Sequence, residues 1–261
     1  MPTAKPSSVL SAAAAKKLWN LYGFESSKDL VLEDLAMALG VVVLEGHLKA
    51  ADAWLIRKGE KGIIRVSDAI PELGRRRFAV AHELGHWSLH KTLSQLLSCT
   101  SADMLARYKA SAPEIEANMF AAELLMPTHL FQPALGASQP TARFVNELAE
   151  RFGTTRTSTA FRIADLTKDY FALVMSKDGK VAWWQASDAL AEYVWIENGG
   201  SVPRYSVAAK FFAGESLPDA PQKIDVGDWF SENRGLDAEC FYEDVIPMPR
   251  YGKALSLLWL E

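Results

Sequence analysis

His82-Glu83-Leu84-Gly85-His86 is the stretch on which the reading of this chain turns. On an α-helix its two histidines share one face, about 6 Å apart along the axis. Imidazoles placed in this way can hold a Zn²⁺ ion, with nitrogen ligands at about 2.0–2.1 Å. Glu83 is one step from His82 and so falls off the ligand line. From there a carboxylate can take a proton from a water on the metal and deliver it to a leaving amine. Neutral imidazole is the binding form, so acid should expel the metal.

The helix that carries this motif is predicted from Glu72 to about Leu89, with Phe78, Ala79, Ala81, Leu84 and Leu89 on its apolar sides. Gly85 weakens it by about 1 kcal/mol relative to alanine. A close backbone approach, room for metal and substrate, or simple helix packing would each account for that glycine. A second helix is predicted to open at Pro113, run to Leu125 and stop at Met126-Pro127. It carries Glu114-Ile115-Glu116-Ala117-Asn118, a source of the missing carboxylate. Glu114 is the preferred third ligand. Glu116, which points about 200° away from it, is the rival, and another carboxylate remains open. Asn118 shares a face with Glu114 and can hydrogen-bond a ligand histidine, fixing its tautomer. His90 extends the spacing of His82 and His86, but a straight helix cannot bring all three to one ion. A supporting, capping or packing role is expected for it. Tyr108 is a candidate oxyanion donor and His129 a weaker candidate. Arg75, Arg76 and Arg77 open the first helix, where cations oppose its dipole. They read as a clasp on an acidic core residue such as Glu123, a grip on a substrate carboxylate, or a solvated basic turn.

The chain as a whole is ordinary for a globular protein: 261 residues, 49% hydrophobic, 23% charged, with a formal charge of -4. This excludes global disorder and gives no reason to expect a coat of nucleic acid. Cys99 and Cys240 form no disulfide framework and lack metal-knuckle spacing, which suits a reducing cytosol. No run of about 20 apolar residues exists, so no membrane span is expected. The apolar N-terminal stretch is too short and broken for a signal peptide. The expected compartment is the cytoplasm.

Outward from the motif, the chain divides into three predicted parts: 1–135, a helical segment 136–168, and a smaller α+β part 169–261. Helices are predicted up to Tyr22-Gly23 and over Leu30 to Leu39, and a strand over Val41 to Leu44. A hairpin is predicted from Ala53–Arg57 and Gly62–Val66 about Lys58-Gly59-Glu60-Lys61. Leu93 to Ser111 is ambiguous, and Pro133 to Pro140 reads as a linker. Thr141 to Arg151 and Thr157 to Leu166 have helix-turn-helix proportions. Beyond Tyr170 short apolar segments begin with a hairpin about Lys177-Asp178-Gly179.

The run Arg77 to His86 with the later Leu89-His90, together with Glu114 to Pro127, resembles the ImmA/IrrE family of bacterial and phage metallopeptidases. The resemblance covers about 30 to 135 strongly and extends more loosely to about 168. It implies an α+β, zincin-like fold: a small twisted sheet packed on the active-site helices, followed here by the helix pair and the C-terminal α+β part. It also implies Zn²⁺ on His82, His86 and Glu114, with Glu83 as the catalytic glutamate. Members of the family cleave helix-turn-helix repressors of the XRE type, so the implied partner is a protein substrate of that kind. The C-terminal part, with most of the tryptophans, departs from any family pattern matched here.

The expected reaction is endoproteolysis, with the substrate chain laid beside the strand Gly62 to Val66. Two other readings differ in kind. One is a DNA-binding regulator that uses the helix pair and Arg143, Arg151, Arg156, Arg162 and Lys168. The other is a sensor of a small-molecule effector, bound in a pocket lined by Trp183, Trp184 and Trp195.

Overall fold

The computed structural model describes residues 7–49, 51–90, 97–99, 111–136 and 138–260. These group into two compact units, Met1–Phe131 with Ala149–Thr155, and Gln132–Leu148 with Arg156–Glu261. The segment 136–168 is thereby divided between them.

In the first unit, α1 (Ser8–Tyr22) is capped by Ser7, whose hydroxyl accepts from the Leu10 N–H, and ends at Gly23, which adopts φ 66°. α2 (Leu32–Ala38) leads into β1 (Val41–Gly46), and β2 (Ala53–Lys58) and β3 (Lys61–Ser67) form the expected hairpin. α3 (Leu73–Leu89), β4 (Leu97–Cys99) and α4 (Ala112–Leu125) follow. The sheet order is β1-β3-β2-β4, with β1 parallel to β3 and the other pairs antiparallel. Along β3 the residues alternate: Ile64 and Val66 are buried, Ile63 and Arg65 exposed.

That topology corrects the expectation that a substrate chain lies beside Gly62 to Val66. β3 is an interior strand, bonded to β1 on one side and β2 on the other. Its ladder groups are already satisfied, and the terminal strands are β1 and β4. Apart from β4 and Ser111, the stretch Leu93 to Ser111 lies outside the described residues.

α3 is buried without interruption from Ala79 to Trp87. Its C-terminal end is fastened to the rest of the unit by Trp87. The indole N–H donates to the Leu39 carbonyl at 3.2 Å, and the Arg57 guanidinium lies 3.9 Å from the ring centroid. α4 lies against α3 at Gly85, where a Cβ would come within 3.0 Å of Ala117 Cα and 3.1 Å of Phe120 Cδ1. Of the three accounts of Gly85, the close backbone approach is the one observed.

α5 (Thr128–Leu135) runs through Pro133, so the first three residues of the stretch read as a linker, Pro133 to Pro140, are helical. The proline removes a single backbone donor from a short helix. Fully buried Phe131, 5.1 Å from the Phe152 ring, anchors that helix.

α6 (Ala142–Phe152) and α7 (Arg156–Leu166) form the helix pair. The strands that follow are β5 (Phe171–Lys177), β6 (Lys180–Ala186), β7 (Val194–Trp195), β8 (Gln222–Asp225), β9 (Glu232–Asn233), β10 (Cys240–Met248) and β11 (Lys253–Trp259). Five of them make an antiparallel sheet in the order β6-β5-β11-β10-β8, and β7 pairs with β9. The β5–β6 turn places Asp178 at φ 51° and Gly179 at φ 76°, as a tight hairpin of this composition requires. A short helix, Val207–Phe212, lies between β7 and β8. Its first N–H groups donate to fully buried Glu243, Val207 at 2.7 Å and Ala208 at 3.2 Å, and the Ser256 hydroxyl donates at 2.8 Å. The chain is therefore α+β, with small sheets and several helices.

Two substitutions test this packing. Gly85→Val should lower folding stability by about 2–3 kcal/mol through overpacking at the α3–α4 contact, read as a lower midpoint in thermal or urea unfolding. Glu243→Ala should cost about 2–3 kcal/mol, because it strands two buried N–H groups, measured in the same way.

Candidate metal centre

Two neighbouring helices build the site. α3 presents His82 and His86 one turn apart, both fully or almost fully buried. Glu114, in the first turn of α4, faces them. Their ligand atoms lie within 4.8 Å of one another. His82 Nε2 is 3.1 Å from Glu114 Oε2, His86 Nε2 is 3.4 Å from Glu114 Oε1, and the two Nε2 atoms are 3.0 Å apart.

The outer nitrogens of both rings are engaged elsewhere. Asn118 Oδ1 accepts from His82 Nδ1–H at 2.9 Å. His86 Nδ1 is 2.9 Å from His90 Nδ1, and His90 Nε2 is 3.0 Å from Glu116 Oε2. The carboxylate can only accept, so His90 donates through Nε2, and its Nδ1 receives the His86 Nδ1 proton. Both histidines then carry their proton on Nδ1. Two Nε2 lone pairs and a carboxylate converge on one point, an arrangement that repels itself until a cation enters. The donor set thus fits a divalent metal.

The electrostatics agree. Burial works against a charged Glu114, but His82 and His86 outweigh it and hold the carboxyl well below its usual range. Burial also opposes protonation of His82, yet Glu114 and Glu83 overcome it and raise the imidazole. His86 is lowered, chiefly by burial and also by the neighbouring His82, against the pull of Glu114. Glu83 is itself fully buried on α3, beside His82.

Glu116 is therefore on His90 and not among the three converging groups. His90 is the residue that ends α3, with φ -115° and ψ 58°, so it leaves the helical line on which it could not have shared the ion. Its continuation of the spacing is the one sequence signal for this contact; nothing in the sequence points to its pairing with Glu116. Arg75 forms a two-pronged pair with buried Asp52 at 2.7 and 2.9 Å, and Arg76 pairs with Glu45 and Glu33. The acidic core residue held by the arginine run is thus Asp52. Glu123 accepts from the Thr128 N–H and hydroxyl at the start of α5. His129 packs edge-on against Trp19, 5.4 Å between ring centroids. Tyr108 lies outside the described residues.

The rival readings meet specific obstacles. α7 is buried continuously from Thr159 to Ala164, Arg162 included, so the second helix of the pair has no continuous exposed face for a DNA groove. Trp183 stacks on Phe161, and Trp184 meets half-exposed Trp195 edge-on. A cavity of about 660 Å³ in the second unit is lined instead by residues such as Phe144, Tyr170, Phe171 and Trp259.

Residues 36–164 match the family described as the IrrE N-terminal-like domain. The chain is 27% identical over 141 residues to metallopeptidase ImmA of Bacillus subtilis (strain 168), which is 52% of this chain and 69% of that protein. A solved Mycobacterium tuberculosis transcriptional regulator superposes over 96% of this chain and 76% of its own, with a TM-score of 0.61 at 17% identity, a likeness of fold.

A divalent metal must displace any proton on the two Nε2 atoms. Its affinity should therefore fall as the pH drops from about 8 to about 5, by about tenfold per unit for each imidazole that has to lose a proton. Equilibrium dialysis across that range checks the slope, and the release of protons on metal addition checks the sign.

Proposed function

Since the chain carries over residues 36–164 a domain of the ImmA/IrrE family of metallopeptidases, we propose that it is a zinc-dependent endopeptidase acting in the cytoplasm. Its substrate is a helix-turn-helix repressor of the XRE type, and cleavage relieves repression in a stress, phage or mobile-element response. The observation that carries the reading is the convergence of His82, His86 and Glu114 with both Nδ1 atoms turned outward. Two imidazoles and a carboxylate favour zinc among the divalent ions.

Zinc held by these three side chains supplies Lewis acidity toward the scissile carbonyl and makes the attacking water more acidic. Glu83 takes the proton of that water at a carboxylate oxygen as the new C–O bond forms. It then hands the proton to the amide nitrogen as the C–N bond breaks. The buried surroundings of Glu83 strengthen its field on the reacting atoms. Asn118 and His90 keep the imidazoles from rotating away, so the donor atoms need little rearrangement on binding. An extended substrate pairs along a terminal strand of the β1-β3-β2-β4 sheet, because the interior strands have no free edge.

The test uses the zinc-loaded protein and helix-turn-helix repressors encoded beside its gene, with cut sites located by mass spectrometry. The wild type should cut at a defined bond. Glu83→Gln should keep its zinc and lose about 10²–10⁴-fold in rate. Cleavage by that variant at the wild-type rate would overturn the role of Glu83, and no cleavage of any such repressor by the wild type would overturn the substrate.

A further inference from the structure

Three residues of α4 reach the two histidines by three routes. Glu114 faces both Nε2 atoms, Asn118 holds His82 from behind, and Glu116 reaches His86 only through His90. The third route has a further link. Glu116 Oε1 accepts the backbone N–H of Ser7 at 2.9 Å, so one carboxylate is spanned by the residue that caps α1 and by His90. α1 lies outside the residues that match the family. The relay Ser7–Glu116–His90–His86 thus ties a helix beyond that domain match to Nδ1 of one of the two converging imidazoles.

We infer that Glu116 is a positioning residue of the metal centre, acting on His86 through His90. The inference rests on the metal reading given above. An unsupported imidazole can present either nitrogen and swing about its side-chain bonds. The Ser7 N–H occupies one oxygen of Glu116 and leaves the other for His90 Nε2–H. His90 Nδ1 is then an acceptor and takes the His86 Nδ1 proton, so only the Nε2 lone pair of His86 faces Glu114 and His82. A side chain with an N–H in place of that acceptor, or none at all, breaks the relay. The two histidines are therefore supported unequally: His82 by a neutral amide, His86 by an imidazole backed by a carboxylate.

The experiment titrates zinc against a chromogenic chelator for the wild type, Glu116→Gln, His90→Phe and the double variant, and records the visible spectrum with Co²⁺ and the melting of the metal-free proteins. Each single variant should bind zinc about 10–100-fold more weakly and shift the Co²⁺ bands. The double variant should be no weaker than the weaker single one, because both act in one chain of contacts. His90→Phe leaves the Glu116–Ser7 bond in place, so it tests the relay even if Glu116→Gln does not fold. Wild-type zinc affinity in Glu116→Gln with a lowered melting temperature would mean that Glu116 only tethers α1, and would overturn the relay. Losses that multiply in the double variant would overturn it too. A wild type that binds no divalent metal would instead overturn the metal reading, and the relay with it.

Discussion

The contact between α3 and α4 at Gly85 is the constraint on which the candidate site depends. A hydrogen in place of a side chain lets the Ala117 backbone come within the distance a Cβ would need. At that separation Glu114 reaches both imidazoles of the neighbouring helix. A wider spacing would leave the carboxylate short of two buried nitrogens. The glycine lowers helix propensity locally, yet uninterrupted burial from Ala79 to Trp87 supplies far more than the propensity lost. The local weakness and the site geometry therefore have one origin.

Polar groups in this interior are costly unless satisfied, and the satisfaction here is directional. Each of the two histidines donates its Nδ1–H to a neighbour and turns its Nε2 inward. The neighbours come from separate positions: Asn118 on α4, and His90 where α3 stops being helical. Two lone pairs 3.0 Å apart beside a carboxylate make an arrangement stable only around positive charge. The shifts in protonation report the same field: Glu114 stays ionised under the influence of the two imidazoles, and His82 is raised by Glu114 and Glu83.

The second unit answers a different problem. Its central strands β5 and β11 are buried over nearly their whole length, so both faces of the sheet there are covered. Of the tryptophans that suggested a ligand pocket, Trp183 lies on Phe161 and Trp184 meets Trp195 edge-on. Glu243 is a fully buried carboxylate of this unit. It takes up the first N–H groups of a short helix and the Ser256 hydroxyl. Burial outweighs these donors and leaves its carboxyl above the usual range.

By itself the sequence determined what is local. The four-residue step from His82 to His86 fixes a shared helix face, Gly23 and Asp178-Gly179 mark a helix end and a hairpin, and alternation along Lys61–Ser67 marks a strand. The resemblance to a metallopeptidase family was also legible there, because the two motifs that carry it lie in short contiguous runs. Tertiary structure alone decided the rest. It brought Glu114, already the preferred candidate, to face both imidazoles and sent Glu116 to His90, and it turned His90 back onto His86 where the helix ended. It placed β3 inside its sheet through a parallel partner from before the hairpin, and it gave Arg75 the partner Asp52. Spacing along a chain fixes directions within one helix or strand. Distances between elements depend on which side chains, or which missing side chain, stand between them.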